Sequence, residues 1–242
     1  MRSVQTAAPL VTARPWRGAM AEARGAVVRL VVAALVLWGA LCGAGYLLTR
    51  PARGTAFERR DGWVNRWFAD HRSSTWNSVT HWLTYAAETM TVIAVGLVFF
   101  AGLRIALGRW RESLFLAVAL AGEVTIFVLT AMMIDRHRPA VQHLDDAPPT
   151  SSFPSGHTAA AVTLYGALAI IALRVSTRAW LRTLAVVVAV ALPVCVALAR
   201  LYRGMHYPTD ILGGAVLGLA WLIVTWTVIL RGRRAERPDV AS

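Results

Sequence analysis

Lysine is missing from this chain altogether: all 25 basic residues are arginine, set against 13 acidic ones. Charge of either sign is sparse, at 16% of residues, where a soluble domain carries about a quarter. That scarcity excludes an ordinary cytosolic protein. A hydrophobic content of 57% excludes disorder, which needs low hydrophobicity. Cysteine is scarce too. Cys42 and Cys195 both lie inside long apolar runs and read as small buried hydrophobes; two such residues supply neither a disulfide framework nor a thiolate metal site. Repeats and low-complexity tracts are absent.

What is abundant is apolar sequence. Six segments approach or exceed the length needed to cross a bilayer, about 20 residues per helix: Leu30–Leu48, Tyr85–Leu103, Ser113–Ile134, Thr158–Leu173, Leu181–Ala199 and Ile211–Leu230. The first begins too far from Met1 for a cleavable signal, and no small-residue cleavage site follows it. It reads as a retained helix. The expected fold is all-α, a six-transmembrane-helix bundle over residues 30–230, with cytoplasmic basic tails at 1–29 and 231–242.

The net charge of +12 fits either a nucleic-acid binder or a membrane protein with cationic cytoplasmic loops. The positions of the arginines decide. Arg2, Arg14, Arg17, Arg24 and Arg29 precede the first segment. Arg104, Arg109 and Arg111 lie between the second and third, and Arg174, Arg178 and Arg182 between the fourth and fifth. Arg231, Arg233, Arg234 and Arg237 follow the sixth. With alternating segments these all fall on one side, which the positive-inside rule makes cytoplasmic. No basic stripe with interleaved aromatics exists, so nucleic acid is not an expected partner. Of the outer arginines, Arg136, Arg138, Arg200 and Arg203 sit in short loops where the rule predicts few cations, and they call for a second explanation.

Residues Phe57–His71, FERRDGWVNRWFADH, place Trp63, Trp67 and Phe68 on one helical face and charges on much of the other. An amphipathic helix lying at the outer interface is expected here. Trp110 and Trp180 flank helix ends, as an aromatic belt would. The loop Gln142–Ser152 is rich in Asp, Pro, Ser and Thr and reads as irregular. Gly213, Gly214 and Gly218 read as close helix packing. Glu123, midway along the third segment, is an ionisable group within a span and a functional candidate by default; it would either pair with an arginine or line a substrate entry.

Three short motifs carry chemistry: Asp135-Arg136-His137-Arg138-Pro139, Pro154-Ser155-Gly156-His157, and Arg200 through Asp210. Alternating topology puts all three at the outer face. Arginine bonds phosphate oxygens in bidentate, charge-assisted fashion. A helix starting directly after a motif offers free N–H groups and its positive dipole end to an anion. Gly156 allows close backbone approach, and Ser155 offers a hydroxyl and an N–H. His206 and Asp210 are four residues apart at a helix start, so the carboxylate would accept from one imidazole nitrogen and leave the other to attack. His157 would protonate a leaving oxygen. Singly, each has a plainer reading: a surface histidine, a snorkelling arginine, a helix N-terminal charge. Together, in order and on one face, they describe an oxyanion cradle with a nucleophile and an acid, and no metal or other cofactor is needed.

The set resembles the type 2 phosphatidic acid phosphatase (PAP2) superfamily of membrane lipid phosphatases, over about residues 27–230. Arg138-Pro139, Pro154-Ser155-Gly156-His157 and Arg200…His206…Asp210 match that family's pattern. Two positions depart: the family's lysine falls on Ala131, and the serine before the second arginine is Ala199. The resemblance implies a phosphohistidine on His206, oriented by Asp210, with His157 as the acid. It also implies phosphoryl oxygens held by Arg138, Arg200, Ser155 and Gly156. Arg136 is the candidate replacement for the missing lysine. The implied substrate is a lipid phosphate or diphosphate, met at the outer face of a plasma membrane; a non-catalytic lipid-phosphate transporter or binding protein is the alternative.

Overall fold

The computed structural model describes residues 15–52, 54–147 and 149–231. Parts of the expected tails, residues 1–14 and 232–242 with Arg2, Arg14, Arg233, Arg234 and Arg237, lie outside the described residues. Among the described residues the helices in chain order are α1 (Pro15–Thr49), α2 (Ala56–Asp70), α3 (Ser74–Tyr85), α4 (Thr89–Ala101), α5 (Trp110–Met133), α6 (Gly156–Val175), α7 (Ala179–Tyr202) and α8 (Pro208–Thr225). Short π-helical stretches, Gly102–Ala106 and Trp226–Arg231, continue α4 and α8. No strand occurs among the described residues.

Six of these helices, α1 and α4 through α8, are long and apolar enough to cross a membrane. Each answers to one expected segment, with two shifts of boundary. Residues 15–29, expected as tail, are already helix. Ala, Glu, Met and Arg in that stretch are strong helix formers, and Pro15 suits a first helical position. At the second span the helix starts at Thr89 and not at Tyr85, because Tyr85 ends α3 and the N–H groups of Ala87 and Glu88 turn back onto Thr84 O and Tyr85 O.

The expected amphipathic helix is present as α2, capped by Thr55, whose hydroxyl accepts from Glu58 N. Trp63 and Trp67 face outward, 60% and 45% exposed. α3 was not expected. Its sequence, STWNSVTHWLTY, has neither a long apolar run nor strong helix formers, and a Ser73 cap accepting from Trp76 N at 3.3 Å starts it.

α6 is the central helix and packs on α5, α7 and α8. Small residues make that closeness possible: Ala159, Ala161 and Ala167 are wholly buried, and a Cβ on Gly218 would lie 2.8 Å from Val162 Cβ. Gly213 admits the ring of Phe153 in the same way. The outward faces are apolar. Leu184, Val187, Val190, Val194 and Leu198 form an exposed stripe at helical spacing along α7. Such a stripe suits lipid, where helices satisfy their own backbone groups. The chain is a multi-pass membrane protein. α4 is the loosely held wall: it leans on α5 and only lightly on α6, and a cleft opens beside it.

Candidate active site

Three chain segments meet at one end of the bundle: the α5–α6 loop, the start of α6, and the turn from Arg203 to Tyr207 that enters α8. Backbone bonds hold them in register. Ser155 N–H donates to Asp210 O at 2.9 Å, Ser152 N–H to Arg136 O at 2.9 Å, and Leu144 N–H to Arg203 O at 3.1 Å. Gly204 turns the chain after α7 with φ +75°, a left-handed conformation that glycine adopts without strain.

His206 is buried, and its Nδ1 lies 2.8 Å from Ser152 O. A carbonyl only accepts, so Nδ1 carries the proton and Nε2 keeps its lone pair. Its own carbonyl accepts from Asn65 Nδ2 at 2.8 Å. Burial pushes the His206 pKa below the ordinary value, against the pull of Asp210. The expected bond from His206 to Asp210 is replaced by the one to Ser152. Asp210 Oδ2 is 3.7 Å from Nδ1, an ion-pair distance longer than a hydrogen bond. The carboxylate is used elsewhere: Oδ2 accepts from Tyr207 N–H at 2.8 Å, capping α8, and Oδ1 accepts from Arg136 Nη1.

Arg136 therefore stands apart from its expected place at the phosphate. It donates to Asp210, to Thr209 Oγ1 at 2.7 Å and to Asp61 Oδ2 at 2.7 Å, and it stacks 4.5 Å from the Tyr207 ring. Two carboxylates flank it in a buried setting, and its charge is spent on them. Arg138 and Arg200 behave differently. Each uses one nitrogen on the protein: Arg138 Nη1 donates to Met205 O and Arg200 Nη1 to Asp145 Oδ2, both at 2.8 Å. The Nε of each is buried with no partner. Leaving a buried donor unsatisfied costs about 1–3 kcal/mol, so these two nitrogens await acceptor oxygens. Burial also lowers the Arg138 pKa, while Asp210 raises it.

His157, the second residue of α6, has Arg200, His206, Asp145 and Arg138 as its charged neighbours. Ser155 is turned to structure. Its hydroxyl accepts from Thr158 N at 3.5 Å and lies 3.0 Å from Thr158 Oγ1, while its N–H goes to Asp210 O. The first N–H groups of α6 have no helical carbonyl to bond, and Gly156 and His157 sit at the cavity wall.

A cavity of about 1220 Å³ brings Arg138, Arg200, Gly156, His157 and His206 to one wall. It continues as an apolar cleft between α4 and α5, with Ile93, Leu97, Leu120 and Phe127 among its lining. Ala131, at the family's lysine position, lines the cavity as well, so a methyl group faces it where the pattern has a cation. Ala199 is buried. Among the described residues no group of three or more His, Cys, Asp and Glu is placed to hold a metal ion.

Asp145, Asp61 and Asn65 are among the residues at this site that were not singled out in the sequence. Asp145 joins Arg200 to Arg203, whose Nε is 2.8 Å from its carboxylate. Burial alone would raise the Asp145 pKa; the bond to Arg203 and the charges of both arginines lower it overall. Arg203 also donates to Asn77 O at 3.0 Å and Leu144 O at 2.8 Å, tying α3 and the loop to the end of α7. Asp61 and Asn65 are one helical turn apart on the inner face of α2. Their signal was present: an i, i+4 polar pair on the face opposite Trp63 and Trp67. The loop carboxylate had none, because neither run nor period marks it.

Comparison with known proteins agrees with this arrangement. The family model of the PAP2 superfamily matches residues 112–234. A crystal structure of a transmembrane PAP2-type phosphatidylglycerolphosphate phosphatase from Bacillus subtilis superposes with a TM-score of 0.73 at 21% identity, covering 85% of this chain and 98% of that one. At that identity the likeness speaks for the fold. No curated protein matches. With the family match running over half the chain and containing the motifs from Arg138 to Asp210, this protein belongs to the PAP2 superfamily.

Proposed function

We propose that the chain is an integral membrane phosphatase that removes the terminal phosphate of a lipid phosphate or diphosphate. The observation that carries this is the pair of unpartnered, buried Nε donors of Arg138 and Arg200 on a cavity wall shared with His157 and His206. Family membership points the same way. Candidate substrates are phosphatidic acid, phosphatidylglycerol phosphate and a polyprenyl diphosphate. The second of these is the kind of lipid named for the Bacillus subtilis protein. By the positive-inside rule the site faces outward from a plasma membrane, with both termini cytoplasmic.

The geometry supports the following chemistry. His206 Nε2, its lone pair kept free by the Ser152 carbonyl on the other nitrogen, attacks phosphorus, and the bond to the leaving oxygen breaks. His157 gives that oxygen a proton. Arg138, Arg200 and the first N–H groups of α6 take the charge that grows on the phosphoryl oxygens, the electrostatic stabilisation such transfers need. Asp210, 3.7 Å away, offsets the positive imidazole of the phosphohistidine. Water then attacks the phosphohistidine and passes its proton to His157; phosphate leaves and His206 is restored.

The test is phosphate release from a panel of lipid phosphates, with EDTA present, by purified wild type and His206→Ala. Release by the wild type and a loss of roughly 10³-fold or more in the variant are expected. No release from any lipid by the wild type would favour a non-catalytic binder. Activity surviving His206→Ala would remove the nucleophile, and loss with EDTA would remove metal independence.

A further inference from the structure

Glu123 has no role in the site described above, yet it shares its cavity. Its side chain lies on α5 inside the bundle, 3% exposed, and among the described residues it makes no hydrogen bond or ion pair. A buried polar group without a partner is costly, and retaining one points to a partner that arrives. Glu123 lines the same cavity as Arg138, Arg200, His157 and His206. Around it the wall is apolar, with Leu120, Val124 and Phe127.

Its depth can be read from one contact. A Cβ on Gly156 would meet the Phe127 ring at 2.8 Å, so the start of α6 stands level with Phe127. α5 and α6 run in opposite directions here. Glu123 is one helical turn inward of Phe127, and Ala160 is one turn inward of Gly156; both line the cavity. One turn is about 5–6 Å. The carboxyl therefore sits one turn beneath the start of α6, on the side of the cavity that runs into the apolar cleft.

We infer that Glu123 is a specificity-determining residue that hydrogen-bonds an oxygen of the substrate's alcohol part, selecting a glycerolipid phosphate over a prenyl phosphate. A glycerolipid carries ester carbonyls or a hydroxyl within a few bonds of its phosphate. A prenyl phosphate offers only hydrocarbon there. A carboxyl meets either oxygen function, accepting from a hydroxyl or donating to a carbonyl when it holds its proton. A site built to bond a substrate oxygen rejects the analogue lacking it, because its own polar group is then left unpaired. The inference rests on the phosphatase reading and names the substrate class within it.

The experiment compares kcat/KM of wild type, Glu123→Leu and Glu123→Gln on dioleoyl phosphatidic acid and on farnesyl phosphate in the same detergent micelles. Thermal unfolding is recorded for each protein. The wild type should prefer phosphatidic acid. Glu123→Leu should lower its rate on phosphatidic acid about tenfold, one lost hydrogen bond, and leave farnesyl phosphate unchanged or faster. Glu123→Gln, which still donates and accepts, should keep most of the preference. The Leu variant should unfold at a higher temperature, since it removes an unpaired buried group. Equal losses on both lipids, no loss on phosphatidic acid, a wild-type preference for farnesyl phosphate, or a lower unfolding temperature would each overturn the assignment. Failure of the wild type to release phosphate from these two lipids and from every other lipid of the panel above is a different result, and it would overturn the phosphatase reading itself.

Discussion

Four arginines at the polar end of the bundle have two different fates, decided by how many of their nitrogens the protein itself uses. Arg136 and Arg203 are consumed by Asp61, Asp210 and Asp145. Arg138 and Arg200 each keep a buried Nε for a ligand. Arg200→Lys preserves the charge but loses the planar fork, and kcat/KM for the best lipid substrate should fall by about 10²–10³; a loss under tenfold would mean that charge alone suffices there. His206 sets the acid limb. With its pKa depressed by burial, it stays neutral and nucleophilic below about 6.5, the ordinary histidine value. The limb of the kcat/KM profile on which activity falls with falling pH should therefore lie below about 6.5. An acid limb above pH 6.5 would contradict the buried nucleophile. The same shift links to stability. The unfolded chain takes up the proton first as pH falls, so this histidine's contribution is present above about 6.5 and is lost as pH falls through the lower folded-state value.

At the scale of elements, α2 shows what a helical face is used for. The aromatic side, Trp63 and Trp67, faces outward. The polar side turns inward, where Asp61 holds Arg136 and Thr209, and Asn65 holds the His206 carbonyl. An amphipathic pattern shows that two faces differ, and bilayer and protein then compete for each. Here the tryptophans stay on the exposed face, and the buried cation Arg136 takes the acid. Asp61→Ala leaves that cation short of one carboxylate, and breaking a buried pair costs about 3–5 kcal/mol. Its unfolding temperature in detergent should drop well below that of Trp63→Ala, which removes an exposed ring. Equal shifts would contradict a stabilising buried pair between Asp61 and Arg136. The spans themselves were legible as apolar runs. α3 was not, because a helix made of Ser, Thr, Asn and Trp is specified by its cap and by its partners: Tyr202 reaches Asn77, and Arg203 reaches Asn77 and Thr80.

For the whole molecule, the charge map predicts an orientation. The α4–α5 and α6–α7 connections carry Arg109 and Arg178 on one side, and Asp146 lies in the loop on the other. Asp146→Cys should react with a membrane-impermeant maleimide in intact cells, and Arg178→Cys only after permeabilisation; the reverse pattern would invert the topology. The cavity is also a property of the whole. α4 is held mainly by α5, so a cleft opens between them and joins the polar end of the bundle to its apolar flank.

By itself the sequence determined the six spans and the three motifs that mark the polar end. These follow from quantities that sum along the chain: hydropathy over a helix length and spacing within a turn. Only the tertiary structure decided how the charged groups pair. It gave Asp210 to Arg136 and to the α8 cap, gave Ser152 to His206, recruited Asp61 from α2 and Asp145 from the α5–α6 loop, and left Glu123 facing the cleft unpaired. Pairing depends on which side chains meet across helices far apart in sequence, and in a setting of low dielectric the nearest opposite charge wins.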